Sequence, residues 1–267
     1  MSQDPVKRAL LCRPTHFNVT YVINPHMRPY SVNTSEALKQ WKALVATLES
    51  LSITVDIIEQ QEDVPDMVFA KDQGIVKDGT VLLANFRYRQ RQKERLYYSE
   101  WFRDNGFRLR DLSSTFPFEG ANTLFFAGML LVGVGFRASV GTCQELAREL
   151  EVKVVPLHLV DPYFYLLDMD VLPINKDTAF YYPPALSKNS QRLLQRLVPN
   201  LYELSEGAAT AFAANSFVSG KDIIIPSGMP ESFREDLMNI GLTIHEVDIS
   251  EFKKAGGGIN CLINVLE

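Results

Sequence analysis

Apolar residues in this chain alternate between short continuous runs and stretches in which they recur every three or four positions, the two signatures of strand and helix. Ala9-Leu10-Leu11-Cys12 reads as a strand that stops at Arg13-Pro14, where proline removes a ladder donor. Asn33-Thr34-Ser35-Glu36 caps a helix that runs to about residue 51, with Leu38, Trp41, Leu44, Val45 and Leu48 at helical spacing. A strand over 53–58 follows. From there one order recurs: hairpin, helix, strand. The first instance has strands over 67–77 and 81–85 around Asp78-Gly79, a helix over 90–105 stopped by Gly106, and a strand over 107–112. The second has 124–126 and 129–134 around Gly128, a helix over 139–150 and a strand over 152–157. The third runs through 163–167, 178–182, a helix over 187–197 and a strand over 201–204. After an extra helix over 206–214, the fourth comprises 215–218 and 223–226 around Gly220, a helix over 231–240 and a strand over 242–247.

The repeat spacing of roughly 45–50 residues suggests an array of small units. The first unit lacks an opening hairpin strand, which the apolar segment 259–266 could supply from the other end of the chain. Five mixed α/β units closed into a ring are therefore expected, within a single domain over 1–267. An open doubly wound sheet fits less well, because the hairpins are antiparallel and no glycine-rich phosphate loop follows the first strand.

Composition narrows the function. Apolar residues at 46% and charged residues at 22% are ordinary globular values. A formal net charge of −5 speaks against nucleic acid, which needs a basic excess. No apolar run reaches the roughly 18 residues of a membrane span. Met1-Ser2-Gln3-Asp4-Pro5 has no basic region leading into an apolar block, so no secretory leader is expected. Three widely spaced cysteines suit a reducing compartment, and the expected location is cytoplasmic.

The chemistry-bearing stretch is Lys254-Ala255-Gly256-Gly257-Gly258-Ile259-Asn260-Cys261, a triple-glycine turn that delivers a cysteine to the start of an apolar run. Taken alone it is read as a hairpin with a core cysteine. Cys12 and Cys143 read as core residues of a strand and a helix. The loop 15–33 carries His16, Tyr21, Asn24, His26 and Arg28 next to a strand end, where function often sits. His158 reads as a satisfied strand-end histidine and His245 as a residue of a solvent face. The run Arg87 to Arg95 reads as a solvated helix start.

The motifs, in this order and spacing, resemble the guanidine-modifying amidinotransferase and hydrolase superfamily, with its five-bladed ββαβ pentein fold. The chain looks most like dimethylarginine dimethylaminohydrolases and amidinotransferase-like proteins. The resemblance rests on Cys12-Arg13-Pro14-Thr15-His16-Phe17, Tyr21-Val22-Ile23-Asn24-Pro25, Asp66-Met67-Val68-Phe69-Ala70-Lys71-Asp72, Phe118-Glu119-Gly120, Tyr181-Tyr182-Pro183-Pro184-Ala185 and the stretch 256–262. It implies a pseudo-fivefold α/β propeller and a cysteine nucleophile that attacks a guanidinium carbon. Carboxylates would hold the nitrogens of that planar cation. Residue by residue, it implies Cys261, Glu119 and Asp168 as catalytic groups and Asp72, Asn24 and Phe69 as substrate contacts. No metal and no cofactor is expected. The expected partner is a small guanidino molecule, with further copies of this chain as an option.

Two departures bear on turnover. The family pattern Tyr-His-Leu-Asp is Tyr165-Leu166-Leu167-Asp168 here, so Leu166 stands where the proton-carrying histidine is expected. Thr123 replaces an acidic residue after Glu119-Gly120-Ala121-Asn122. Two readings remain open. One is a hydrolase or amidinotransferase working through a thiouronium intermediate on Cys261, slowed by Leu166. The other is a catalytically silent relative that binds an arginine-like ligand or serves as a scaffold.

Overall fold

The computed structural model describes residues 4–112 and 116–267, and Met1-Ser2-Gln3 of the leader reading lie outside them. Two compact units form. One joins Val6–Ala121 to Ile249–Glu267, and the other is built on Asn122–Asp248.

The first unit holds two three-stranded sheets. In one, Arg8–Arg13 pairs antiparallel with Asn264–Val265 and parallel with Thr54–Glu59. The C-terminal segment thus supplies the strand that the first repeat lacks, in the register Ala9 to Val265 and Leu10 to Asn264. In the other, Thr80–Leu83 pairs antiparallel with Gly74–Lys77 and parallel with Arg108–Arg110. The second unit repeats this scheme three times. Its central strands are Met129–Val134, Thr178–Tyr181 and Asp222–Pro226, each with one antiparallel and one parallel neighbour. A parallel neighbour needs a crossover, and helices fill it: Thr34–Ser50, Glu94–Asp104, Val140–Leu150, Lys188–Leu197 and Glu231–Asn239.

Side chains explain where these helices begin. Asn33 accepts a hydrogen bond from the Glu36 amide, Ser139 forms a reciprocal pair with Thr142, and Ser187 accepts from the Ser190 amide. The first helix buries Ala37, Trp41, Leu44 and Leu48, its apolar stripe. The first unit's core gathers Leu10, Cys12, Met67, Val81, Tyr98 and Phe102. The second unit's core includes Leu131, Leu157, Leu167, Ala179 and Leu194.

Three expected strands are different. The segment 67–77 is strand only over Gly74–Lys77. Before it come two tight turns, Pro65–Val68 and Ala70–Gln73, the first opened by a proline that lacks an N–H. The segment 163–167 forms no strand; the hairpin's first strand is Val171–Pro173, after a turn at Leu167–Met169. The segment 259–266 shrinks to Asn264–Val265, because Cys261 sits in a turn in which the Leu262 amide bonds to Ile259 O and the Ile263 amide to Asn260 O. An apolar run in a buried turn looks the same in sequence as one in a buried strand. The described residues contain no helix long and apolar enough to cross a membrane.

Candidate functional site

In the first unit the local chemistry converges on the segment Phe69-Ala70-Lys71-Asp72-Gln73-Gly74. Phe118-Glu119-Gly120 lies directly on it, since a Cβ at Gly120 would overlap the Lys71 carbonyl and stand 2.6 Å from that of Gly74. Only glycine allows that approach. The Asn85 and Phe118 backbones exchange hydrogen bonds of 2.9 and 2.8 Å and hold this segment in place. From the C-terminal side, a Cβ at Gly257 would overlap the Phe69 ring. Asn264 donates from Nδ2 to Ala70 O at 2.9 Å, and the turn Asn260–Leu262 packs against the turn Ala70–Gln73. Three turns carrying Asp72, Glu119 and Cys261 therefore meet at one segment, with exposures of 2%, 0% and 1%.

Asn24 donates to Ala255 O at 3.0 Å and accepts from the His26 amide at 3.0 Å, so it braces the glycine turn that presents Cys261. Phe69 packs edge-on to Phe17 with centroids 6.0 Å apart. Cys261 is in no disulfide. Burial pushes the Cys12 thiol well up and that of Cys143 to about 11, so neither is poised as a thiolate.

The sequence reading missed Arg91. The run Arg87 to Arg95 is not all solvated, because Arg91 is only 3% exposed. Its Nε donates to Glu94 Oε1 at 2.9 Å, and Nη2 donates to Glu94 Oε2 at 2.8 Å and to Asp66 O at 3.2 Å. Nη1 donates to Asp72 Oδ2 at 2.5 Å and lies 3.8 Å from Glu119 Oε2. The guanidinium rests 4.6 Å from the centroid of the Phe86 ring. Burial raises the Glu94 carboxyl to about 7 against the pull of Arg91. Gln73 donates to Glu94 at 2.6 Å, and the Tyr21 hydroxyl donates to Asp66 at 2.8 Å. Helical spacing carried the signal: Arg91, Glu94, Tyr98 and Phe102 share one buried face.

The second unit carries Asp168 on the turn after Leu166. Leu166 is 2% exposed and Asp168 is fully buried. Asn122 accepts from the Leu167 amide at 3.2 Å and donates to Gly133 O at 2.5 Å, while Asn215 donates to Asp168 O at 3.3 Å. Nearby, Arg137 lies 4.7 Å from the Tyr165 ring centroid. The sequence reading also passed over Asp170. Its two carboxyl oxygens are buried with no hydrogen-bond partner among the described residues. Burial, then the charges of Asp168 and Asp161, push its carboxyl well above the usual range.

His26 joins the Asn24 brace through its backbone amide. His16 and His158 are exposed, and His245 pairs with Asp222 at 2.8 Å.

The chain is 36% identical over 262 residues to the bifunctional arginine dihydrolase/ornithine cyclodeaminase ArgZ of Synechocystis, covering 96% of this chain but 37% of that protein. It is 33% identical over 259 residues to the dimethylarginine dimethylaminohydrolase of Mycobacterium tuberculosis, covering 96% and 84% of the two chains. The crystal structure of the N-terminal domain of ArgZ bound to product matches with a TM-score of 0.94 at 33% identity, covering 99% of this chain and 98% of that one. Five three-stranded sheets of one design and this match give the expected fold class, the five-bladed α/β propeller of the penteins. A model of the eukaryotic N,N dimethylarginine dimethylhydrolase family matches residues 15–266, and the chain belongs to that family.

Proposed function

We propose that the chain acts on the guanidino group of an arginine-like small molecule through Cys261, and that Leu166 slows the steps that move protons. The observation that supports this reading is the meeting of the Cys261, Asp72 and Glu119 turns at one buried segment. Glu119 and Asp72 would pair with the cationic nitrogens, and Phe69 would lie against the planar group. Asn24 would contribute by holding the glycine turn. Asp168 enters as a catalytic carboxylate through the resemblance. The relatives act in kind: ArgZ carries an arginine dihydrolase activity, and the mycobacterial protein is a dimethylarginine dimethylaminohydrolase.

The thiolate attacks the guanidinium carbon, and the bond to the departing amine then breaks. That amine leaves only with a proton, and water must lose one to cleave the remaining C–S bond. Leucine carries no proton. Loss of a positioned acid/base costs on the order of 10²- to 10⁴-fold. An arginine analogue in which methanethiol is the leaving group avoids the first requirement, because a thiolate departs without prior protonation.

The expected result is formation of a covalent adduct on Cys261 from that analogue at least about 10²-fold faster than from arginine. Cys261→Ser should abolish the adduct, and Leu166→His should raise the rate with arginine. Arginine, methylated arginines, agmatine and the thio-analogue are assayed by citrulline-type product and by intact mass. Absence of both product and adduct with all four would overturn the reading.

Leu166 and Thr123 favour one second reading, a silent relative that keeps the ligand site or serves as a scaffold. It expects calorimetric binding of agmatine or arginine, or no ligand at all, with no adduct. With no disulfide among its cysteines, the chain would suit a reducing, cytoplasmic setting.

A further inference from the structure

Consecutive glycines hold no shape of their own, because each gives up more backbone freedom on ordering than any other residue. Gly256-Gly257-Gly258, just before Cys261, must therefore be fixed from both ends, and Gly256 sits at φ +88°. Downstream, Asn264 bonds to Ala70 O and its strand pairs with Arg8–Arg13. Upstream stands the one-turn helix Ser250–Lys253, and a charged cluster holds it. Lys254 Nζ donates to Glu251 Oε1 at 2.8 Å and Oε2 at 2.7 Å, and to Ser31 O at 3.0 Å. Glu251 Oε2 also accepts from the Asn33 amide at 2.8 Å. Gln40, on the helix Thr34–Ser50, accepts from the Glu251 amide at 3.1 Å and donates to Ser250 Oγ at 2.8 Å. Glu251 and Gln40 are both buried.

We propose that the Lys254–Glu251 ion pair is a clamp that positions Cys261: it fastens the helix before the glycine turn to the main chain at Ser31 and Asn33, and so sets how fast the thiol reaches a substrate carbon. The inference rests on the guanidino reading above for what that carbon belongs to. On the loop side the clamp grips main-chain atoms only, so two side chains join backbone to backbone. Asp72 and Glu119 lie on other segments, which makes ligand capture and thiol placement separable. A buried ion pair is weak evidence of stability, but a misplacement of about 1 Å can cost about 10²-fold in rate. Lys254 and Glu251 are positioning residues.

Lys254→Met keeps the apolar stem and removes the ammonium, and Glu251→Gln keeps an acceptor for the Asn33 amide. The probe is the methanethiol-releasing arginine analogue, followed by intact mass over a concentration series. Its guanidinium carbon gains a bond to the Cys261 sulfur as methanethiolate departs. Both variants should form the adduct with a maximal rate lowered about 10- to 10²-fold. The half-saturating concentration should stay within about twofold of that of the unmodified chain. Lys254→Arg restores a two-point contact with Glu251 and should recover the rate to within about threefold. The double variant should lose no more than either single one, because the two side chains act as one unit.

A merely stabilising pair would lower the fraction of chains that react and leave the rate of the rest unchanged, and that result overturns the clamp. A raised half-saturating concentration with an unchanged maximal rate overturns it as well, because it would place the pair at the ligand. If the unmodified chain forms no adduct, the guanidino reading falls. The clamp is then read from amide hydrogen exchange over 255–259, expected about tenfold faster in both variants, and unchanged exchange overturns it.

Discussion

At position 257 the glycine turn passes so close to Phe69 that a Cβ would overlap the ring edge and stand 2.6 Å from Cδ1. Gly257 is therefore a packing requirement as much as part of a turn signal. Gly257→Ala must push Phe69 or the turn aside. Overpacking of this kind costs about 1–3 kcal/mol, and a drop of that size in urea-unfolding stability is expected. The same change should slow alkylation of Cys261 by a haloacetamidine, with the rate read by intact mass. Cys261, Glu119 and Asp72 stand out in the sequence as candidates because each sits in a short ordered motif next to a glycine or a turn. Arg91 does not, because a run of arginines is ordinarily solvated, and only its helical phase with Tyr98 and Phe102 sets it apart. Asp170 gave no signal either, since the cost of a buried carboxyl depends on neighbours brought in by folding.

The repeat of hairpin, helix and strand was legible among the elements because each has a local cause. Asp78-Gly79 joins two paired strands, and Asn33, Ser139 and Ser187 begin helices with their own side chains. The turns that carry the candidate residues were the illegible part. Pro65–Val68, Ala70–Gln73, Leu167–Met169 and Asn260–Leu262 are short, buried and apolar enough to pass for strands. Periodicity cannot distinguish a three-residue turn in the core from a strand end. Their backbone bonds are local, such as the Asp72 amide to Phe69 O at 3.1 Å, and the ladder begins only where they stop. The candidate residues thus sit where the repeat is interrupted.

For the molecule as a whole, two buried carboxyls set an unusual pH trend. Glu94 titrates at about 7 in the folded chain against an ordinary value of 4.5, and Asp170 is also displaced upward. A raised carboxyl binds its proton more tightly folded than unfolded, so stability falls as pH rises from about 4.5 through about 7. For Glu94 the loss across that window is on the order of 3 kcal/mol. The expected observation is a higher urea midpoint at pH 5 than at pH 8. Asp170→Asn, which fixes a neutral group in place of the acid, should flatten the trend. A midpoint that instead rises steadily from pH 5 to pH 8 would show that these carboxyls ionise without penalty.

The pairing of Ala9 with Val265 has a consequence for biosynthesis. A ribosome makes Ala9 some 250 residues before its antiparallel neighbour Val265. The unit containing residue 9 must then wait, its edge open, while Asn122–Asp248 has emerged complete. The later-made unit is expected to fold first. Chains truncated at residue 248 and released from the ribosome should show protease resistance within 122–248 and rapid cutting before residue 121. Protection of the earlier segment at that length would contradict this order. A sheet closed by a strand made some 250 residues later leaves its earlier strand longest in need of a chaperone.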